Sequence, residues 1–140
     1  LGCLANYPPK GNTMTTKTVI EPIVLSTLPA LGADFSGGTF AGITTRADGT
    51  HCAVVLLLGK GEGLTWTKAK TWAKKQGGEL PTRPVAAMLF ANVKPALSPD
   101  WHWTADEYNA SYAWFCGFSH GGQCYDRKNR ELAAVAVRRL

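Results

Sequence analysis

The residues best suited to chemistry lie in the C-terminal quarter of the chain, on two strands predicted at 111–118 and 123–128 with Ser119-His120-Gly121-Gly122 as their turn. The polar and aromatic side chains in and just after this hairpin include Cys116, His120, Gln123, Cys124, Tyr125, Asp126, Arg127 and Asn129. A hairpin that only had to fold would carry mostly Val, Ile and Thr. The composition therefore favours contact with a partner through ring stacking and hydrogen bonds, with an ordinary solvent-facing sheet as the alternative.

The sequence contains no familiar catalytic arrangement around these residues. It has no HExxH motif, no pair of catalytic carboxylates and no Ser/His/Asp arrangement. The glycine-rich stretch at 59–63 lacks the GxxxxGK[ST] pattern that binds phosphates. We therefore expect that the protein is not an enzyme and that it uses no cofactor.

The two cysteines of the hairpin allow more than one interpretation. Across the hairpin, Cys116 and Cys124 could form a disulfide, or they could remain two free thiols. With His120 between them they also match the spacing C-x3-H-x3-C. Zinc sites usually show C-x2–4-C pairs, so we expect no metal site.

Composition and charge restrict the classes of partner. With 140 residues, of which 45% are hydrophobic and 18% charged, the chain is typical of one globular domain. Its net charge of +5 includes Lys68, Lys70, Lys74 and Lys75 along one predicted helix, where lysines usually form a solvated face. We therefore expect no nucleic-acid partner. No apolar run approaches the roughly 20 residues of a membrane span, so we expect no membrane insertion.

Local signals predict two helices. Thr65 or Thr67 caps a first helix that ends at Gly77-Gly78, and its apolar face is separated from its lysines. Thr82 caps a second helix, which ends at Lys94-Pro95 because proline disfavours helical geometry in the residue before it.

Alternating and continuous apolar runs predict the strands. Strands at 38–45 and 50–58 flank an Asp-Gly turn, and the second is apolar enough to be a central strand. Residues 59–63 are predicted as a loop. The run at 132–137 predicts a closing strand buried on both faces.

The chain divides into three predicted parts. Residues 1–13 are interpreted as a leader or an expression remnant, because Met14 begins a natural-looking start. Residues 14–37, apolar with prolines, predict an extended N-terminal arm. Residues 38–140 are predicted as the ligand-binding domain.

The order of motifs from LTWTKAKTWAKKQGG through ELPTR, W-x-W-T-x-x-E-Y and SYAW-x3-F-x2-G-x-Q-x4-K to AVRRL resembles the DUF1566 family. The resemblance covers 38–140 and implies an α+β, C-type-lectin-like fold with small antiparallel sheets and two short helices. By this resemblance the chain is related in architecture to the variable receptor-binding proteins of diversity-generating retroelements and to formylglycine-generating enzymes. Among the family's fixed positions, Tyr108 is interpreted as scaffold and Glu107 as a buried structural acceptor.

The resemblance also implies which positions bind a ligand, because such families leave certain positions free between the fixed ones. The positions are His102, Asn109, Ser111, Phe115, Cys116, Gly117, Ser119, His120, Gly122, Cys124, Tyr125, Asp126, Arg127 and Asn129. They include most of the side chains selected above from their chemistry alone.

The function that follows is a non-catalytic binding module, similar to a phage receptor-binding protein or a bacterial adhesin. Its partner would be a cell-surface glycan or protein, its location the virion or bacterial surface, and its assembly a homo-oligomer, trimeric by resemblance. One alternative is a structural virion or assembly domain. Another is an oxidase of the formylglycine-generating type that uses Cys116 and Cys124.

Overall fold

The computed structural model describes residues 23–140, so the predicted leader at 1–13 and the first part of the predicted arm at 14–37 lie outside the described residues. The helices are α1 (Trp66–Lys75) and α2 (Arg83–Asn92), with short 3-10 turns at Leu25–Thr27 and Lys94–Ala96. The strands are β1 (Asp34–Phe35), β2 (Gly38–Thr45), β3 (His51–Leu64), β4 (Trp101–Glu107), β5 (Tyr112–Gly117), β6 (Gly122–Arg127) and β7 (Leu132–Arg139). None of the helices described is long and apolar enough to span a membrane.

All seven of these strands form one mixed sheet in the order β1-β2-β3-β7-β4-β5-β6. Neighbouring strands are antiparallel except β4 and β7, which run parallel and pair at His102 and Ala133. The last strand of the chain therefore lies in the middle of the sheet. Its apolar sequence predicts a closing strand buried on both faces, and the burial is confirmed, whereas the central position is decided by the pairing with β3 and β4.

The predicted fold class, α+β with a C-type-lectin-like fold, is wrong. Instead of small antiparallel sheets, the structure has one seven-stranded sheet beside two ten-residue helices, which is closer to an all-β architecture. A C-type-lectin-like fold is not confirmed. The difference arises at β7, which pairs with β3 on one side and β4 on the other and so joins two antiparallel groups into one sheet.

The predicted loop at 59–63 is also wrong, because these residues continue strand β3. The pairing of β3 with β7 is irregular there, with register shifts between Leu56 and Lys60 and again between Gly61 and Leu64. A Cβ added to Gly61 would lie 2.7 Å from Leu64 Cδ1. Glycine in this stretch therefore permits close packing above the strand, and the irregular pairing explains why the sequence looks like a loop.

One helix packs on each face of the sheet. The predicted cap Thr82 of α2 is confirmed, and of the two candidates for α1, Thr65 and Thr67, the structure uses Thr65. The Thr65 hydroxyl accepts a hydrogen bond from the Lys68 N–H at the start of α1, and the Thr82 hydroxyl accepts one from the Val85 N–H at the start of α2. The α1 face includes Trp66, Trp103, Phe115 and Ala134 in its core, whereas the α2 face includes Leu89, Cys116, Val135 and Val137. Alternate residues of β5 and β7 therefore point to different cores.

Candidate functional site

The predicted hairpin exists as β5 and β6, and its register decides which side chains meet. On the α2 face the cross-strand pairs are Cys116 with Gln123, Trp114 with Tyr125, and Tyr112 with Arg127. On the α1 face they are Phe115 with Cys124 and Ala113 with Asp126. The four-residue turn at 118–121 sets this register and includes Gly121 at φ +78°.

The register places Cys116 and Cys124 on opposite faces of the hairpin, so they do not form the disulfide that their spacing allowed. Cys116 is a free and fully buried thiol. Burial raises the pKa of Cys116, and a hydrogen bond with Gln123 lowers it by less. A buried thiol with a raised pKa is a poor nucleophile.

Three tyrosines and a tryptophan form an aromatic cluster at the end of the hairpin remote from its turn. We call Tyr108, Tyr112, Trp114 and Tyr125 the tyrosine patch. Tyr108 stacks on Tyr125 with ring centroids 3.9 Å apart and an interplanar angle of 3°. Trp114 meets both rings edge-on, at 5.8 Å and 5.3 Å, and Tyr112 meets Tyr125 edge-on at 5.9 Å. Tyr108 remains 48% exposed, so the patch presents aromatic surface to solvent.

A short turn between β4 and β5 brings Tyr108 and Tyr112 to the same end of the hairpin. The Asn109 side-chain oxygen accepts hydrogen bonds from the N–H groups of Ser111 and Tyr112, each at 2.9 Å. The Tyr108 N–H donates to the Tyr112 carbonyl oxygen, also at 2.9 Å. Asn109, one of the predicted ligand-binding residues, is therefore engaged in holding the turn.

The hydroxyl groups of the stacked pair interact as well as their rings. A hydrogen bond with the Tyr108 hydroxyl is the main cause that raises the pKa of Tyr125, and electrostatic coupling to Tyr108 acts in the same direction. The Tyr125 hydroxyl therefore stays protonated at neutral pH. It can take part in hydrogen bonds to a ligand as donor or acceptor.

Arg83, at the start of α2, is partly buried and packs on the Trp114 ring of the tyrosine patch. Its guanidinium lies 3.5 Å from the centre of the Trp114 ring. Its Nε donates to Gln123 Oε1 at 2.9 Å, and the Gln123 amide donates back to the Arg83 carbonyl oxygen at 2.8 Å. The Arg83 N–H donates to Asp106 at 2.7 Å, which satisfies one free donor of the helix start. Hydrogen bonds to both its backbone and its guanidinium thus hold Arg83 against the Trp114 ring.

A shallow polar cleft of about 450 Å³ lies beside the patch. It is lined by Ser111, Tyr112, Arg127, Lys128 and Asn129. Three of these, Ser111, Arg127 and Asn129, are predicted ligand-binding residues, and the fold brings them to one place together with Tyr125.

Glu107, which the resemblance implies to be a buried acceptor, is exposed. Its carboxylate forms an ion pair with Lys128 at 3.1 Å, and 52% of its side chain is accessible. The Lys128 ammonium also donates to the Ala110 carbonyl oxygen at 2.9 Å. Glu107 thus fixes Lys128 at the rim of the cleft rather than serving the core.

Four of the predicted ligand-binding residues are buried, namely His102, Phe115, Cys116 and Gly117. His102 is 2% exposed, its Nδ1 lies 2.7 Å from the Asp100 carbonyl oxygen, and its ring packs on Phe118. Burial lowers the pKa of His102, with the Asp100 carbonyl acting in the opposite sense. It is a neutral core histidine at neutral pH, and we leave the four buried residues out of the candidate surface.

The remaining predicted residues lie apart from the patch. Ser119, His120 and Gly122 are exposed at the turn, at the opposite end of the hairpin. Cys124 and Asp126 lie on the α1 face, where Asp126 pairs with Arg130 at 3.6 Å. Within residues 23–140 no group of three or more His, Cys, Asp or Glu side chains is arranged to hold a metal ion.

Sequence reasoning missed three members of the surface, Tyr108, Tyr112 and Arg83. A signal for the first two exists, because a tyrosine on either side of the short polar turn at 109–111 must lie near the other when the strands pair. No signal marks Arg83, which reaches Trp114 only through the packing of α2 on the sheet.

Comparison with known proteins adds no relative to this description. No family model matches the chain, and no curated protein matches it.

Proposed function

We propose that the protein is a non-catalytic binding module that recognises a cell-surface glycan or protein through its tyrosine patch. The observation that carries the proposal is the ordered cluster of exposed Tyr108 and partly exposed Tyr112 and Tyr125 around the buried Trp114, beside a polar cleft. Tyrosine and tryptophan contribute large contact areas with little loss of conformational entropy on binding. Here their rings already stack on one another, so little further ordering is needed.

The resemblance to the DUF1566 family implies the same kind of function, and we include it in the proposal. The positions that such families leave free include Ser111, Tyr125, Arg127 and Asn129, which the fold gathers at one end of the hairpin. By that likeness the protein would act on a virion or a bacterial surface, as a receptor-binding protein or an adhesin, and as a homo-oligomer. These points are part of the proposal.

The oxidase alternative has less support. It requires Cys116 and Cys124 to act as a pair, whereas they lie on opposite faces of the hairpin and Cys116 is buried. The proposed module needs no catalytic residue.

The proposal can be tested with the full chain, fluorescently labelled and titrated on a panel of bacterial cells and immobilised glycans. The test variant is Tyr108→Ala/Tyr125→Ala. The matched control is Trp101→Ala, since Trp101 is 47% exposed but lies at the other end of β4 on the α1 face. We expect saturable binding that weakens roughly tenfold or more in the test variant and changes little in the control. Circular dichroism checks that all variants fold.

Two outcomes would contradict the proposal. Binding that survives the double substitution would place the site elsewhere on the surface. A folded wild-type protein that binds nothing across a broad panel would favour the structural virion or assembly domain.

A further inference from the structure

The charges around the tyrosine patch are unevenly balanced. Two carboxylates lie near it, and each is already engaged: Glu107 with Lys128, and Asp106 with the N–H of Arg83. Asp126 lies on the opposite face of β6 and pairs with Arg130. Two guanidinium groups near the patch, those of Arg83 and Arg127, form no ion pair with any residue that the structure describes.

Arg127 is the more available of the two cations. It is exposed on β6 opposite Tyr112, and it lines the polar cleft. Within residues 23–140 no hydrogen bond engages its side chain; only its backbone N–H donates, to Asp126. An arginine with five uncommitted donors beside tyrosine rings is well suited to a carboxylate or a sulfate group.

Arg83 offers a second and more rigid cation. Its Nε is used by Gln123, and the described part of the chain provides no partner for its two terminal nitrogens. Gln123 and Arg127 are four residues apart on the same face of β6, a separation of roughly 13 Å along a strand. The Arg83 guanidinium lies over Trp114 and Arg127 lies opposite Tyr112, so the two cations reach different members of the patch, as an extended ligand such as an oligosaccharide requires.

The lining of the cleft favours a glycan over a protein partner. Its lining side chains end in a hydroxyl, an amide, a phenol and two cations, while apolar atoms of the same residues form the larger part of the lining surface, and the cleft is open to solvent rather than enclosed. Protein hot spots are usually anchored in desolvated apolar pockets, whereas sugar hydroxyls need many polar groups near aromatic rings. We propose that the patch binds an oligosaccharide bearing carboxylate or sulfate groups, with Arg127 and Arg83 contacting the anions. This inference rests on the proposed function.

The test measures affinities of the full chain for hexasaccharides of defined charge by isothermal titration calorimetry. The probes are an oligogalacturonate with carboxylates only, a carrageenan-derived oligosaccharide with sulfates only, and neutral cellohexaose. The variant is Arg127→Gln. The control is Lys75→Gln, which removes the same unit of charge from α1 on the other face and touches no ion pair of the described residues.

We expect the wild type to bind at least one of the two anionic probes, the carboxylated or the sulfated one, and to bind cellohexaose at least tenfold more weakly. Arg127→Gln should bind that anionic probe about tenfold more weakly than the wild type. Lys75→Gln should stay within about twofold of the wild type, because exposed charges more than roughly 10 Å apart are screened by salt. Preference for the carboxylate or the sulfate probe identifies the anion.

Several results would contradict the inference of an anionic oligosaccharide but leave the proposed binding function standing. One is that cellohexaose binds as tightly as the anionic probes and that affinity is lost only in Tyr108→Ala/Tyr125→Ala. Another is that the protein binds cells through a protease-sensitive ligand and binds none of the three hexasaccharides. Equal losses of affinity in Lys75→Gln and Arg127→Gln would also overturn the inference, because they would show that the anionic probes respond to the net charge of the protein and not to Arg127. Failure of the wild type on both cells and sugars would remove the proposed function itself.

Discussion

Two arginines of the binding surface should differ sharply in their contribution to stability, although both are predicted to contact ligand. Arg83→Met keeps the aliphatic stem but removes the guanidinium that contacts Trp114 at 3.5 Å and Gln123 Oε1 at 2.9 Å. A hydrogen bond to a charged group contributes about 1.5–3 kcal/mol, and we take the lower end because Arg83 is only half-buried. The cation–π contact adds about 0.5–1 kcal/mol. The expected loss is about 2 kcal/mol.

Arg127→Met is the matched control, since its side chain is exposed and makes no hydrogen bond within residues 23–140. Its free energy of unfolding should stay within about 0.5 kcal/mol of the wild type. Urea unfolding followed by tryptophan fluorescence measures both variants, with an unchanged m value as the criterion of comparable states. Equal losses in the two variants, or none in Arg83→Met, would refute the assignment of Arg83 as a structural clamp.

The hydrogen bond itself can be separated from the ring contact by a double-mutant cycle with Gln123→Leu. If the bond between Arg83 and Gln123 stabilises the fold, the double variant should lose about 1 kcal/mol less than the sum of the single losses. Additive losses would assign the stability of the clamp to the ring contact with Trp114 alone.

Three further predictions concern the scaffold. Burial lowers the pKa of His102, so the imidazole binds a proton more readily in the unfolded chain than in the folded one. The contribution of the neutral imidazole to the free energy of unfolding should be complete above about pH 6.5 and should fall as the pH drops towards the folded pKa. His102→Gln should remove this pH dependence. In Gly78→Ala, the added Cβ would collide with the Val137 carbonyl oxygen, and the loss should be about 1–3 kcal/mol. Trp66→Phe leaves the buried Thr104 carbonyl oxygen without its 2.8 Å hydrogen bond, which should cost about 1–3 kcal/mol.

Each scaffold prediction has a control on the same chain, measured by urea unfolding over a range of pH. His120→Gln, at the exposed turn, should leave the pH dependence unchanged. Gly122→Ala has open space around the new Cβ and should be nearly neutral. Trp72→Phe removes a ring that is only partly buried and should cost less than Trp66→Phe. If a control variant loses as much free energy of unfolding as its test variant, or shows the same pH dependence, the physical reason given for that test variant is wrong.

Part of the binding surface could be predicted from residue types alone. Tyr125, Arg127 and Asn129 were selectable because polar and aromatic side chains on a strand next to a turn rarely serve a core. Ser111 followed only from the resemblance to the DUF1566 family. Which residues of the hairpin are buried depends on the register. A shift of one residue would have turned every side chain of β6 to the other face, and the sequence does not specify that shift.

His102 and Glu107 exchange their expected environments for a related reason. Both lie on β4, where the histidine was expected at the surface and the glutamate in the core. The parallel pairing of β4 with β7 at His102 places the imidazole in the middle of the sheet, while Glu107, at the end of the strand, reaches Lys128 in solvent. Whether a side chain of β4 is buried therefore depends on the strands and side chains packed beside it, and these are distant in sequence.

By itself, the sequence determined the elements whose signals are local. Thr65 and Thr82 cap the two helices, and the Asp48-Gly49 turn joins β2 to β3, because each involves hydrogen bonds or backbone angles within a few residues. The tertiary structure alone decided that β7 joins two groups of strands into one sheet, that the two cysteines face apart, and that Arg83 covers Trp114. These contacts join residues far apart in the chain, and their energies depend on register and packing that no local pattern encodes.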